Sequence, residues 1–424
     1  MRTFALTLFL VAAAVTMPDG LTAQDGPPAD AAGADTLRLA EDVPPRVLTI
    51  TESGTAVVAT EVLVMAGLAA EPEGTSGLAH LAGRSIVRPL EPALDSLGSR
   101  LAVTPGKDAL AFTLIAAPDA WEESVRLLMH ALFRDGVDDA DVAAARRQIL
   151  AELGARENNP ADVARQHVEE AVFGSDHPWS RATAGYTHTV RDLGPRDVDA
   201  FLRSNFLPER SAVAVVGPIR EERVRDALSE MFGRDEPLLR PEVSAPEPIE
   251  SPLEIDYNTI TTWVSASYLA PASLDPEAVR FLAAVLAEDF SFDPRRRSVY
   301  NAHSEVHLRQ LGTELRLQLV VPPQEARDWA ERVEARVATL ASGPMDALDF
   351  RARLRRYRGE RLRSLALPEA RAGEAARALL VGAPLPRWTE AETDLTPARL
   401  QAAAAALSDA TLVLVGPFQA VDGD

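Results

Sequence analysis

The chain has 424 residues, of which 46% are hydrophobic and 25% charged, and its formal net charge is −20. This composition is typical of a globular protein with more than one domain, and the acidic balance, without a basic phosphate-binding stripe, argues against nucleic acid and anionic lipid as partners. The chain has no cysteine, which excludes disulfides, thiolate metal sites and cysteine nucleophiles.

The N-terminus has the layout of a secretory signal peptide. Arg2 is the only charge before an apolar run from Phe4 to Val15, and small and turn-forming residues follow it up to Ala23. The run is too short to span a bilayer, which takes about 20 residues. We therefore predict a signal peptide at 1–23, a flexible mature N-terminus at 24–36, and an exported protein, periplasmic or extracellular, without a membrane span.

The rest of the first half mixes strands and helices without strict alternation, which predicts an α+β fold. Asp119 is the expected cap of the second helix, and Pro160 is expected to break the third. The second half repeats the order from Thr262 to Phe418. The predicted elements of the first half are strands at 46–52 and 55–65, a helix at 76–88, a strand at 109–116, helices at 121–134, 138–156 and 196–205, and a strand at 211–216.

Two pairs of similar segments indicate that the chain contains a duplicated domain. The segment Val213–Ile219 resembles Leu412–Phe418, and Gly217 and Gly416 within them lie 199 positions apart. The apolar runs that end at Leu68 and Leu269 lie 201 positions apart. These similar offsets predict two duplicated α/β sandwich domains of about 200 residues, at 37–233 and 255–424. Five prolines between 234 and 254 mark the linker.

One motif connects the chain to a known family. The run from Gly74 to Arg84, Gly-Thr-Ser-Gly-Leu-Ala-His-Leu-Ala-Gly-Arg, resembles the pitrilysin/insulinase zinc metallopeptidases, the inverzincins, whose helix continues into His-x-x-Glu-His. A second stretch, from Phe173-Gly-Ser-Asp-His-Pro-Trp to the Val-Val-Gly that ends at Gly217, is also similar to the family. The resemblance implies the pitrilysin-like fold, with two sandwich domains forming a clamshell.

The chemistry of the motif is degenerate in this chain. By the resemblance, His80 holds the first histidine position, Gly83 the position of the catalytic glutamate, Arg84 that of the second histidine, and Glu152 that of the third ligand. Glycine offers no base, and arginine stays protonated and cannot bind zinc. We therefore expect no catalytic residue, a residual metal pair of His80 and Glu152, and no cofactor. We also expect Arg84 to pair with Glu152 in place of the metal; the alternative is that Arg84 points to solvent.

Two further groups are candidates for binding. In active relatives the second domain supplies an arginine and a tyrosine to the peptide, and Arg297 and Tyr300 lie at the matching place; the alternative there is a solvated basic turn. His303, Glu305 and His307 alternate along a predicted strand, so they share one face. Metal binding is one interpretation of that face, and an exposed polar edge is the simpler one.

The function that follows is a non-catalytic homologue of a zinc metalloendopeptidase. We expect it to bind peptides or to serve as the inactive partner of an active exported peptidase subunit. The alternative is an active zinc metallopeptidase with unconventional ligands, in which His80 and Glu152 would hold zinc with a ligand from elsewhere. A purely structural component of an assembly is a third hypothesis that the sequence does not separate from the first.

Overall fold

A computed structural model of the chain describes residues 46–156, 159–233, 237–249, 251–291, 299–385, 394–407 and 410–417. The predicted signal peptide and flexible N-terminus lie outside the described residues. Within the described linker, residues 237–249 contain no helix or strand, in agreement with its prolines.

Two five-stranded sheets have the same topology. The first has the strand order β1-β5-β2-β4-β3 and the second β6-β10-β7-β9-β8. In each, the first two strands of that order run parallel and the other neighbours antiparallel, which confirms the predicted duplicated α/β sandwich. The strands are β1 Val47–Thr51, β2 Val58–Val64, β3 Arg100–Pro105, β4 Leu110–Ala116, β5 Ser211–Gly217, β6 Leu253–Asp256, β7 Thr262–Pro271, β8 Asn301–Arg309, β9 Gly312–Val321 and β10 Thr411–Gly416.

The strand register corrects one of the predicted correspondences. Gly217 and Gly416 end equivalent strands, both with φ of 154°. Ala59 lies opposite Val216, whereas Trp263 lies opposite Val415, so Ala59 corresponds to Trp263, 204 positions later. The predicted offset of 201 between these strands is therefore wrong by three residues. Every residue of β2 is buried, so the strand lacks the polar alternation that fixes register in a sequence.

Twelve helices surround the sheets within the described residues. The first runs through Pro89 and Pro92 to Ser96, beyond its predicted end, and Asp119 does not cap the second, which follows Ala120 without a side-chain cap. They are α1 Leu78–Ser96, α2 Trp121–Phe133, α3 Asp139–Arg156, α4 Pro160–Phe173, α5 Thr187–Asp192, α6 Pro195–Asn205, α7 Glu221–Leu228, α8 Pro276–Ser291, α9 Ala326–Ser342, α10 Ala347–Ser364, α11 Pro368–Val381 and α12 Pro397–Ala405.

One helix of each half packs on the sheet of the other half. One face of each sheet packs on helices of its own half, and the opposite face is covered by a helix from the other half. Alanines and leucines of α11 pack on Ile50 and Leu63 of the first sheet. Residues of α4, among them Val168, pack on Val413 and Val415 of the second. The halves are therefore interlocked rather than joined only by the linker.

Among the described residues, no helix combines the length and the hydropathy that a membrane span requires.

Candidate functional site

A buried carboxylate fixes the start of α1. Gly77 precedes the helix with φ of 97°, and a Cβ there would lie 2.9 Å from Cα of Gly185, so this close approach requires glycine. The carboxylate of Glu71 accepts hydrogen bonds from the backbone N–H of Gly77 and of Ala79, the latter at 2.8 Å. Burial raises the pKa of Glu71 to about 7. Gly77 and Glu71 therefore set the direction in which α1 presents His80.

An arginine–carboxylate pair lies where the resemblance implies a metal. Nη2 of Arg84 on α1 donates to both carboxylate oxygens of Glu152 on α3, at 3.0 Å each, and Nε donates to Nε2 of His80 at 3.3 Å. Gln148 donates to the same carboxylate at 3.3 Å. The predicted pairing of Arg84 with Glu152 is thus present, and the alternative of Arg84 pointing to solvent is wrong.

His80 is a neutral, buried member of this group. Burial, and next the charge of Arg84, lower its pKa to about 4, so the ring is uncharged at neutral pH. Because Nε2 accepts from Arg84, we assign the ring proton to Nδ1. The lone pair of Nε2, which would face a metal, is directed at a permanent cation instead.

Gly83 is closed off by the neighbouring sheet. A Cβ at this position would lie 2.8 Å from Cγ2 of Val103 on β3 and 3.5 Å from a methyl group of Leu110 on β4. Val103 is β-branched and holds few rotamers, so it does not swing aside easily. A glutamate therefore does not fit at residue 83 without a change at Val103. The side chain of Val103 occupies the space that a general base at residue 83 would need.

These residues do not fit a catalytic zinc ion. Such a site takes three protein ligands, leaves one position for water and needs a base beside it. Here two residual donors, His80 and Glu152, both bind the guanidinium of Arg84. Among the described residues, no group of three or more histidine or acidic side chains is arranged to hold a metal.

The other candidate residues lie apart from this group along the chain. Arg297 lies outside the described residues, and Tyr300 is 62% exposed just before β8; both stay predictions as peptide contacts. His303, Glu305 and His307 share one face of β8, as predicted, with each histidine Nε2 at 3.3 Å from an oxygen of Glu305. The hydrogen bond from His307 lowers the pKa of Glu305 to about 2. This is the exposed polar edge of the simpler interpretation.

The His-Pro-Trp stretch has a structural role at the contact between the halves. Nδ1 of His177 accepts from the backbone N–H of Trp179 at 3.1 Å. The Trp179 side chain is fully buried, edge-on to Phe173 at 5.5 Å between ring centroids. Both rings belong to the cluster that joins α4 to β10. The family-like motif therefore anchors the exchanged helix.

Sequence reasoning missed a cluster of buried charges between the halves. From the first half, Nζ of Lys107 lies 2.5 Å from the carboxylate of Glu169. From the second, Arg316 reaches Glu169 at 3.0 Å and Glu314 at 2.5 Å, and Arg309 reaches Glu314 at 2.8 Å. Burial lowers the pKa of Lys107 to about 8. These residues share no motif or spacing, so only the fold brings them together.

The first half of the chain is similar to known peptidases. The family model described as insulinase, peptidase family M16, matches residues 46–185. An uncharacterized zinc protease of Mycobacterium leprae is 26% identical over 207 residues, 46% of this chain and 46% of that protein. The chain therefore spans about half the length of the curated relatives it matches.

Solved structures extend the similarity of the fold to nearly the whole chain. The peptidase M16 inactive domain from Pseudomonas fluorescens superposes with a TM-score of 0.74 at 16% identity, covering 89% of this chain and 97% of that one. A protease from Helicobacter pylori superposes with a TM-score of 0.72 at 16% identity, covering 88% and 96%.

Proposed function

Since this chain belongs to the insulinase family of peptidases, family M16, we propose that it is a non-catalytic member, which binds peptides beside an active, exported peptidase subunit. The observation that carries the proposal is the contact of Arg84 with both oxygens of Glu152 at 3.0 Å. A guanidinium that binds a carboxylate through two hydrogen bonds replaces the metal cation electrostatically. It supplies neither a Lewis acid nor an activated water.

The loss of the base supports the same proposal independently. Gly83 has no side chain, and the space beside it is occupied by Val103. Hydrolysis would need both the second ligand and the proton acceptor to return, together with a rearrangement of β3. Residues 83 and 84 therefore each prevent hydrolysis for a separate reason. This supports a chain that keeps the fold of the family without its catalytic chemistry.

A partner role is supported by the interlocked halves. The exchange of α4 and α11 and the buried charges around Glu169 hold the two sheets together. A substrate cleft that opened between these halves would have to separate those contacts. A cleft formed with a second chain needs no such separation. The outer edges of β3 and β8 pair with no strand among the described residues, so each could accept an extended peptide.

Metal content and hydrolysis together test the proposal. We expect purified protein to contain far less than one zinc per chain by elemental analysis. We also expect it not to hydrolyse a quenched fluorescent peptide above background, with or without a chelator. The alternative of an active metallopeptidase predicts one zinc per chain and hydrolysis that a chelator abolishes. It would be established if the variant Glu152→Gln lost both the zinc and the hydrolysis. Exposed Glu73→Gln is the matched control, since it changes the same functional group away from the site.

The partner role needs its own measurement. An exported homologue with an intact His-x-x-Glu-His, encoded in the same genome, should co-purify with this chain and hydrolyse the peptide faster in its presence. Unchanged hydrolysis and separate elution of the two proteins would reject the partnership while leaving the absence of catalysis untouched.

A further inference from the structure

Helix α10 is strongly basic in an acidic protein. Its 18 residues include seven arginines, between Arg351 and Arg363, against two acidic residues, Asp349 and Glu360, while the whole chain has a net charge of −20. Averaging charge over the chain conceals this basic helix.

The inner side of α10 is fully engaged. Phe350 and Tyr357 pack on the ring of Phe281 in α8, with centroid distances of 5.5 and 5.2 Å. Arg353 lies 2.6 Å from Asp289 of α8. The arginines of this side therefore have carboxylate partners within the protein, and they fix the helix in one orientation.

The outer side of α10 carries exposed arginines that form no ion pair within the part of the chain that the structure describes. Arg351, Arg355 and Arg363 are exposed, and none has an ion pair with any residue that the structure describes; the only hydrogen bond of Arg351 goes to the carbonyl of Ala347. Leu348 and Leu362 lie on the same side and are 71% and 41% exposed. Spacings of three, four and seven residues place Leu348, Arg351, Arg355 and Leu362 along one helical stripe.

We propose that this outer stripe of α10, formed by Leu348, Arg351, Arg355, Leu362 and Arg363, docks a carboxylate-rich segment of a partner protein that also carries apolar side chains. Charge complementarity identifies the occupant. A guanidinium can bind a carboxylate through two parallel hydrogen bonds, and Arg84 shows the same kind of pairing within this chain, with Nη2 donating to both oxygens of Glu152. The two leucines of the stripe would pack against apolar side chains of the same segment. The apolar area buried in this way would add to the ionic attraction.

An anionic membrane fits the stripe less well. The apolar side of α10 is already packed on α8, so only the isolated leucines of the outer side could enter a bilayer. The rest of the chain is acidic and repels an anionic surface within the Debye length. A protein segment touches only the stripe and avoids that repulsion. Because α10 belongs to the other half from Arg84, this proposal stands independently of the loss of catalysis.

The test measures binding of a defined peptide. A fluorescent 16-residue helical peptide with glutamates and leucines three and four positions apart is titrated with the full chain, following anisotropy at low salt. We expect saturable binding that weakens with salt and falls at least about tenfold in Arg351→Glu/Arg355→Glu/Arg363→Glu. Circular dichroism and thermal unfolding verify that the variant folds. Leu348→Ala/Leu362→Ala, which keeps every charge, should weaken binding about threefold or more.

The control changes net charge equally elsewhere. Arg126→Glu/Arg203→Glu/Arg225→Glu reverses three partly exposed arginines on α2, α6 and α7 and should bind like wild type. Equal losses in both triple variants, or no binding below about 1 mM, would overturn the proposal. The proposal would also be overturned if the chain did not bind the peptide but used the α10 arginines to bind phosphatidylglycerol vesicles. Self-association in the ultracentrifuge that depends on the same arginines, without peptide binding, would overturn it as well.

Discussion

Two groups of arginines and carboxylates in this protein differ chiefly in their exposure. The side chains of Arg84 and Glu152 are 29% and 42% exposed, at a site that resembles a metal centre. Those of Glu314 and Arg316 are 0% and 6% exposed, between the halves. The same chemistry therefore has two roles: the first pair lies where the resemblance implies a metal and contributes little to stability, and the second group holds the two halves together.

Solvent explains the difference. Water competes for exposed ions and screens them, so such pairs contribute about 0–1 kcal/mol. A buried ion has given up its hydration, and removing its partner leaves an uncompensated charge that costs about 3–5 kcal/mol. The comparison predicts that one group tolerates substitution and the other does not.

The largest effect is expected at the contact between the halves. Glu169→Ala leaves Lys107 and Arg316 buried without their shared carboxylate, so we expect a loss of about 3–5 kcal/mol in the free energy of unfolding, measured by urea denaturation. Glu152→Ala is the matched control and should cost less than about 1 kcal/mol. Similar losses in the two variants would remove the distinction between the groups.

That cluster also marks the limit of sequence reasoning. The sheets and the duplication follow from apolar strands and from the repeated Val-Gly-Pro endings at Gly217 and Gly416. The sequence pattern does not predict helix α4, although Asn159 and Pro160 form a regular start, because a proline beside asparagine also signals a break. Without α4 and the exchange of helices, nothing in the sequence connects Lys107 to Arg316.

The degenerate site was more accessible to prediction. By the resemblance, His80, Arg84 and Glu152 occupy motif positions, and two residues four apart share a helix face, so the pairing of Arg84 with Glu152 is what the resemblance implies. The obstruction of Gly83 by Val103 is not implied by it, because strand β3 is not predicted from the sequence and its contact with α1 is tertiary.

The buried cluster around Glu169 and the buried carboxyl group of Glu71 should change the stability of the protein in opposite directions with pH. The pKa of Glu169 is lowered, because the attraction of Lys107 and Arg316 outweighs burial, so its contribution to stability is present above its ordinary pKa and is lost in acid. Glu71, at the start of α1, has its pKa raised by burial from 4.5 to about 7. Its contribution is complete below pH 4.5 and is lost as the pH rises through 7.

Replacing Glu71 isolates that second dependence. We expect wild type to lose about 3 kcal/mol of stability relative to Glu71→Gln between pH 4.5 and 8, since a change of one in pKa corresponds to about 1.4 kcal/mol. Urea denaturation at several pH values measures it, with exposed Glu73→Gln as the control. Parallel pH profiles for wild type and Glu71→Gln would contradict the assignment to this buried carboxyl group.

Rebuilding the metal site tests how far the exposed group can be altered. Gly83→Glu/Arg84→His restores the motif, but Val103 obstructs the new side chain, so we expect poor folding or weak zinc binding. Adding Val103→Ala should give saturable zinc binding by calorimetry and about 2–3 kcal/mol of stabilisation at a hundredfold excess over Kd.

His80→Ala in the same background controls for ligation by His80. Zinc binding that survives His80→Ala would mean that the metal binds elsewhere. Zinc binding that does not need Val103→Ala would show that the obstruction deduced from the structure is absent.

The smallest effect is expected from Arg84 itself. Arg84→Ala removes a pair that is partly exposed on both sides, so after allowance for solvent screening the free energy of unfolding should change by less than about 1 kcal/mol. The electrostatic consequence should be clearer than the energetic one. Burial is the first cause of the lowered pKa of His80 and Arg84 the second, so the pKa should rise in the variant while staying below its ordinary value of 6.5. An NMR titration of the His80 ring measures this directly. An unchanged pKa would mean that Arg84 does not sit against His80 in solution, and the guanidinium would then no longer qualify as the substitute for the metal.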